Sequence, residues 1–172
     1  MTQPVILLLG MMGAGKSTVG KAIAARTGWR YFDNDELVEQ ATGHTPPEIL
    51  ADGGEQALRA AETDALVRAL ELPPPAVVSV AGGVVLDPAN RERLRAASGV
   101  VWLRARHATL ADRVGSGQGR PWLQPDPKAA IASLAAVREP YYAEVADAIV
   151  DVDDLTPEAA ADAVLAVVQQ QP

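Results

Sequence analysis

The sequence predicts a three-layer α/β/α sandwich around a five-stranded parallel sheet, and three observations lead to it. Five short apolar runs are separated by helical stretches, the pattern of a parallel sheet covered on both faces. A chain of 172 residues fits one compact domain spanning 1–172, large enough to bury a real core. The first apolar run leads into Gly10-Met11-Met12-Gly13-Ala14-Gly15-Lys16-Ser17, a full match to G-x-x-x-x-G-K-[ST] set between a strand and a helix.

The elements follow in order. Val5-Ile6-Leu7-Leu8-Leu9 is a buried strand, and the stretch from Thr18 to Ala25 reads as a helix that Gly28 stops. Tyr31-Phe32 is a short strand ending at Asp33-Asn34-Asp35. Residues 36–50 and 55–72 read as two helices separated by Asp52-Gly53-Gly54, the second closed by Pro73-Pro74-Pro75. Residues 76–80 form a strand ending at Ala81-Gly82-Gly83. Asp87-Pro88 then caps a helix reaching about Ala97. Residues 100–103 are the next strand, and 107–114 the next helix. Gly115-Ser116-Gly117-Gln118-Gly119 reads as a mobile segment before Arg120-Pro121-Trp122-Leu123. Residues 127–144 read as a helix broken near Pro140, 148–152 as the last strand, and Thr156-Pro157 opens a final helix fading into Gln169-Gln170-Gln171.

In such sheets ligands bind at the carboxyl ends of the strands. The glycine loop lies there, and its chemistry is specific. Gly10, Gly13 and Gly15 let successive N–H groups point into one concavity, and the helix N-terminus adds partial positive charge, which makes an anion cradle. Lys16 can reach the β- and γ-phosphates, and the Ser17 hydroxyl can ligate Mg²⁺. Nucleotide contacts are expected from Gly13, Ala14, Gly15, Lys16, Ser17 and Thr18, with a nucleoside triphosphate and Mg²⁺ as ligands. Asp33 and Asp35, two apart at a strand end, would point to one side in extended geometry and could hold Mg²⁺ and orient a hydroxyl. An Asx turn capping the next helix is the other reading of the pair.

Composition excludes other classes. The net charge of −7 argues against nucleic-acid binding. No run of about 18 apolar residues suggests a membrane span. The absence of cysteine and the lack of room for a signal peptide before Val5 suit a cytoplasmic protein. The expected partner is a small-molecule substrate, and the expected state is a monomer.

The chain resembles the shikimate kinases, small members of the nucleoside-monophosphate-kinase-like group, from about residue 5 to 168. Its nucleotide loop is shared with many kinases. More discriminating are Asp33-Asn34-Asp35, Gly54-Glu55-Gln56-Ala57-Leu58-Arg59 with Glu62, Ala81-Gly82-Gly83, Asn90-Arg91, Arg120-Pro121 and Arg138-Glu139-Pro140-Tyr141-Tyr142 in this order. The resemblance implies a P-loop kinase fold with strand order 2-3-1-4-5, a substrate-binding segment over about 34–62 and a lid over about 112–125. It implies transfer of the ATP γ-phosphoryl group to the 3-hydroxyl of shikimate. Ser17 and Asp33 would serve Mg²⁺, and Asp35 would bind substrate hydroxyls and assist deprotonation. Arg59 and Arg138 would grip the substrate carboxylate, with the Gly82 backbone donating beside them. Arg120 would reach the transferring phosphate, and Arg113 would lie against the adenine. Lys16, Asp35 and Arg120 are the implied catalytic residues.

Four positions depart from the family's usual pattern. Ala81 stands where a third glycine is usual, which is compatible with an extended backbone but not with positive φ. Leu50 and Leu58 replace aromatic residues, and Trp122 replaces a leucine in the lid. Leu50, Leu58 and Ala81 motivate a rival, a kinase for another polyol such as gluconate or a cyclitol. A nucleotide-binding module without catalysis is the second rival, although Lys16, Asp33 and Arg120 are all present. His44 and His107 have no metal-ligand partners at usable spacing. Arg91, Arg93 and Arg95 read as a solvated helix face, Trp102 as core, and Asp153 and Asp154 as loop and cap residues.

Overall fold

The computed structural model describes residues 4–118 and 120–170; Gly119 and Gln171, at the ends of two predicted segments, lie outside them. Five parallel strands form one sheet: β1 (Val5–Leu9), β2 (Arg30–Asp33), β3 (Ala76–Ser79), β4 (Val100–Arg104) and β5 (Ala148–Asp151). Their order is β2-β3-β1-β4-β5, so the strand carrying the glycine loop is central. Leu7 pairs with Val78 on one side and Val100 on the other. The inner strands are apolar at nearly every residue because helices cover both faces, and Ile6 through Leu9 are no more than 1% exposed. Helices α1 (Lys16–Thr27) and α7 (Pro157–Gln169) pack on each other. Helices α4 (Pro88–Ala96) and α5 (His107–Val114) each pack on α6 (Pro127–Val145). A pair of helices, α2 (Asn34–Thr42) and α3 (Pro46–Leu70), follows β2. No helix among the described residues is long and apolar enough to cross a membrane.

One expected helix is divided where no break was predicted. The helix predicted over 36–50 ends at Thr42, where Gly43 adopts φ 76° and donates its N–H to Glu39 O. A new helix starts at Pro46, with the Glu48 carboxylate accepting the Thr45 N–H at 2.8 Å. Gly43 and the Thr-Pro-Pro-Glu sequence after it are a stop and a start. The break expected at Asp52-Gly53-Gly54 is present: Gly54 leaves helical geometry with φ 74° and ψ −172°, so α3 is two helical stretches meeting at a kink there.

Pro140 does not break α6. Arg138, Tyr142 and Val145 on either side of it are all buried, so packing holds the helix across a residue that locally disfavours it. The basic cluster on α4 is only partly solvated. Arg91 donates to Val85 O, stacks 4.1 Å from the Tyr141 ring centroid and lies 3.6 Å from Glu144, which Arg95 also contacts. Trp102 is core, 5% exposed and tilted against Tyr142. Asp153 accepts from the Arg106 N–H and the Thr109 hydroxyl, and these bonds hold its carboxyl down at about 2.

Candidate active site

Loops at the carboxyl ends of β1, β2 and β3 meet helix α3 and residues 120–122 around a cleft of about 560 Å³. The glycine loop forms its floor. Gly15, at φ 91°, is the N-cap of α1, so the first free N–H groups of the helix face the cleft. Lys16 Nζ folds back to donate to Gly10 O at 2.7 Å and Met11 O at 3.2 Å. Burial, then the nearby Arg138 guanidinium, lower its pKa to about 8 against the pull of Asp33 and Asp35. Gly13, Ser17 and Thr18 also line the cleft. Ala14 does not: its methyl is buried in the core, and its N–H donates to Met11 O. Arg113 reaches from α5 to donate to the Gly13, Ala14 and Val152 carbonyls, and it too lines the cleft.

The acidic pair is not extended. Asp33 ends β2 and caps α2, its Oδ1 accepting the Asp35 N–H at 2.9 Å. Asp35 therefore sits in the first helical turn, and the helix places its carboxylate on the cleft beside that of Asp33. Asp33 Oδ2 accepts from the Ser17 hydroxyl at 2.8 Å and lies 2.9 Å from the Tyr31 hydroxyl. Capping and cleft contacts thus coexist in one side chain. Ser17 and Asp33 form a pair of hard oxygen donors that suits Mg²⁺, an ion that keeps much of its shell as water and phosphate oxygen. Among the described residues no cluster of three His, Cys, Asp or Glu could hold a metal. Burial holds the Asp35 carboxyl above its usual range, with Asn34 donating to it at 3.2 Å.

The opposite wall carries the arginines. Arg138 comes from α6 and is 3% exposed. Arg59 comes from α3, with Nη1 2.6 Å from Glu62 and Nη2 3.7 Å from Glu55. The Nε atoms of both are buried with no hydrogen-bond partner among the described residues. Burial raises the Glu62 carboxyl even with Arg59 beside it. The Ala81-Gly82-Gly83 turn lies between these groups. Ala81 has φ −62° and ψ 130°, ordinary for alanine. A Cβ on Gly82 would come within 2.8 Å of Gly10 O, and one on Gly83 would overlap the Arg59 guanidinium. Gly82 O accepts the Tyr142 hydroxyl at 2.8 Å. Arg120, exposed just before the 3₁₀ turn Pro121–Leu123, also lines the cleft.

Every predicted site residue except Ala14 therefore lies on one cleft. Glu62, Tyr31 and Ser79 were not singled out as site residues. The i,i+3 spacing of Arg59 and Glu62 on a helix was a usable signal for the first. His44 and His107 sit beside Glu48 and Glu139, away from this cleft.

A central parallel strand delivering a glycine cradle, with cations and carboxylates converging at the strand ends, defines a P-loop kinase of the kind that acts on small molecules. The family model "Shikimate kinase" matches residues 12–169. A shikimate kinase of Paramagnetospirillum magneticum is 43% identical over 155 residues, covering 90% of this chain and 78% of that protein. One from Moorella thermoacetica is 42% identical over 148 residues, covering 86% and 84%. The structure of an Acinetobacter baumannii shikimate kinase in complex with shikimate superposes with a TM-score of 0.87 at 33% identity, covering 98% of this chain and 92% of that one. The chain belongs to the shikimate kinase family.

Proposed function

We propose that this protein transfers the γ-phosphoryl group of ATP to the 3-hydroxyl of shikimate. The observation that carries the reading is the pair of arginines, Arg59 and Arg138, brought from two helices to one cleft, their buried Nε atoms without a hydrogen-bond partner among the described residues. Planar guanidinium forks suit a carboxylate, and among the described residues neither Nε has a hydrogen-bond partner. Asp35, on the same cleft, accepts the hydroxyl proton as the acceptor oxygen bonds to the γ-phosphorus and the bond to ADP breaks. Lys16 releases the loop carbonyls for the β- and γ-phosphates. Arg120 meets the transferring group when the lid over about 112–125 closes, while residues 34–62 form the acceptor arm. Ser17 and Asp33 would hold Mg²⁺, which supplies charge neutralisation at the phosphates. Arg113, already on the loop carbonyls, flanks the base.

A coupled ADP-release assay over shikimate, gluconate and a cyclitol, with ATP and Mg²⁺, tests this. Turnover with shikimate is the expected result. Turnover with another polyol only would overturn the acceptor, and ATP binding without any product would favour a non-catalytic module.

A further inference from the structure

Arg59 is held by contacts of different kinds. Glu55 and Glu62 lie on its own helix: Nη1 donates to Glu62, while Glu55 makes a longer ion pair with Nη2 at 3.7 Å. From across the cleft comes Trp122, whose ring centroid is 5.3 Å from the guanidinium carbon, within cation–π range. A ring face attracts the cation without consuming any N–H. Trp122 is also well placed to stay there. It sits in the short 3₁₀ turn Pro121–Leu123, whose last residue is fully buried in the core. Arg120 N–H donates to Gly117 O, and the Gln124 amide donates to Ser116 O, stitching the segment on both sides of the turn. Among the described residues lining the cleft, Trp122 is the one aromatic; the apolar wall of the arm is aliphatic, from Leu50 and Leu58.

We infer that Trp122 is a positioning and specificity residue for the acceptor. Its ring keeps the Arg59 fork turned into the cleft without taking any of the donors that Glu62 leaves for a carboxylate. It also supplies the flat face on which the acceptor's carbon ring packs. Without it, both glutamates draw Arg59 back along α3. The inference rests on the acceptor reading above, and it concerns acceptor binding rather than phosphoryl transfer.

The test is steady-state kinetics of the full chain with shikimate, ATP and Mg²⁺ for W122L and W122F, with folding followed by Tm. W122L should raise the shikimate KM roughly three- to thirty-fold, leaving kcat and the ATP KM within about two-fold. W122F, which keeps a ring face, should restore most of that loss. In the wild type, shikimate without nucleotide should change the tryptophan emission, and W122L should abolish the change. If W122L unfolds, W122Q takes its place at this half-exposed position. An unaltered shikimate KM in an active, ring-less variant overturns the inference alone, as does W122F being equally impaired. A wild type that phosphorylates a different polyol and not shikimate overturns the acceptor reading and the inference with it.

Discussion

Gly83→Ala isolates the role of Arg59 without touching it. The added Cβ would lie 2.6 Å from the guanidinium carbon and 3.0 Å from Nη2, with Nη1 closer still. Ordinary carbon contacts need about 3.5 Å or more, so the fork must retreat by roughly 1 Å. Gly83 lies in a 3₁₀ turn outside the left-handed region, so alanine adopts its backbone without strain. The perturbation is therefore steric and aimed at one side chain. A displaced fork loses a charge-assisted contact to the acceptor carboxylate worth about 1.5–3 kcal/mol, or roughly 10- to 150-fold in acceptor KM. The ATP KM should stay near wild type. The assay is the coupled ADP-release measurement at saturating ATP, run also in an Arg59→Ala background. There Gly83→Ala should add little, because the group it displaces is gone. Ala81→Gly, at a position where alanine fits, is the neutral control. A folded Gly83→Ala enzyme with wild-type shikimate KM, or full additivity with Arg59→Ala, would refute the assignment of Arg59 to the carboxylate.

Lys16→Ala should lower kcat by about 10²- to 10³-fold, as loss of a preorganised cation at developing charge does. With its pKa lowered to about 8, the Lys16 charge opposes folding fully below pH 8. Because the folded chain sheds this proton before the unfolded one, unliganded stability should rise between pH 8 and about 10.5, and Lys16→Met should flatten that rise in denaturant titrations. Asp33→Asn keeps the α2 cap, since asparagine caps as well as aspartate, yet weakens the metal site. It should raise the Mg²⁺ concentration needed for half-maximal rate with little change in Tm, whereas Asp33→Ala should also lose about 1 kcal/mol of stability. Tyr142→Phe leaves Gly82 O without its buried donor and should cost about 1–3 kcal/mol in unfolding free energy. An unchanged denaturation midpoint would show that the carbonyl finds another partner.

What the sequence by itself determined was whatever short-range chemistry dictates. The loop from Gly10 to Ser17 carries its own turn geometry, and five apolar runs between helices imply a buried parallel sheet. The Asp87-Pro88 and Thr156-Pro157 starts are local caps, and both appear where the residues place them. The stop at Gly43 is equally local, although the single helix expected over 36–50 runs across it. Only the tertiary structure decided the rest. Pro140 stays helical because buried Arg138 and Tyr142 hold both its sides, energy that no local window contains. Asp33 and Asp35 share a cleft through a helix start instead of an extended strand, so the same pair of residues arrives by a different backbone. Ala81 is tolerated while Gly82 and Gly83 are not, since the constraints are Gly10 O and the Arg59 fork, both remote in sequence. The meeting of Trp122 with Arg59 joins residues 63 apart in the chain. Such contacts depend on how the sheet and the helices around it pack, and packing is a property of the whole chain.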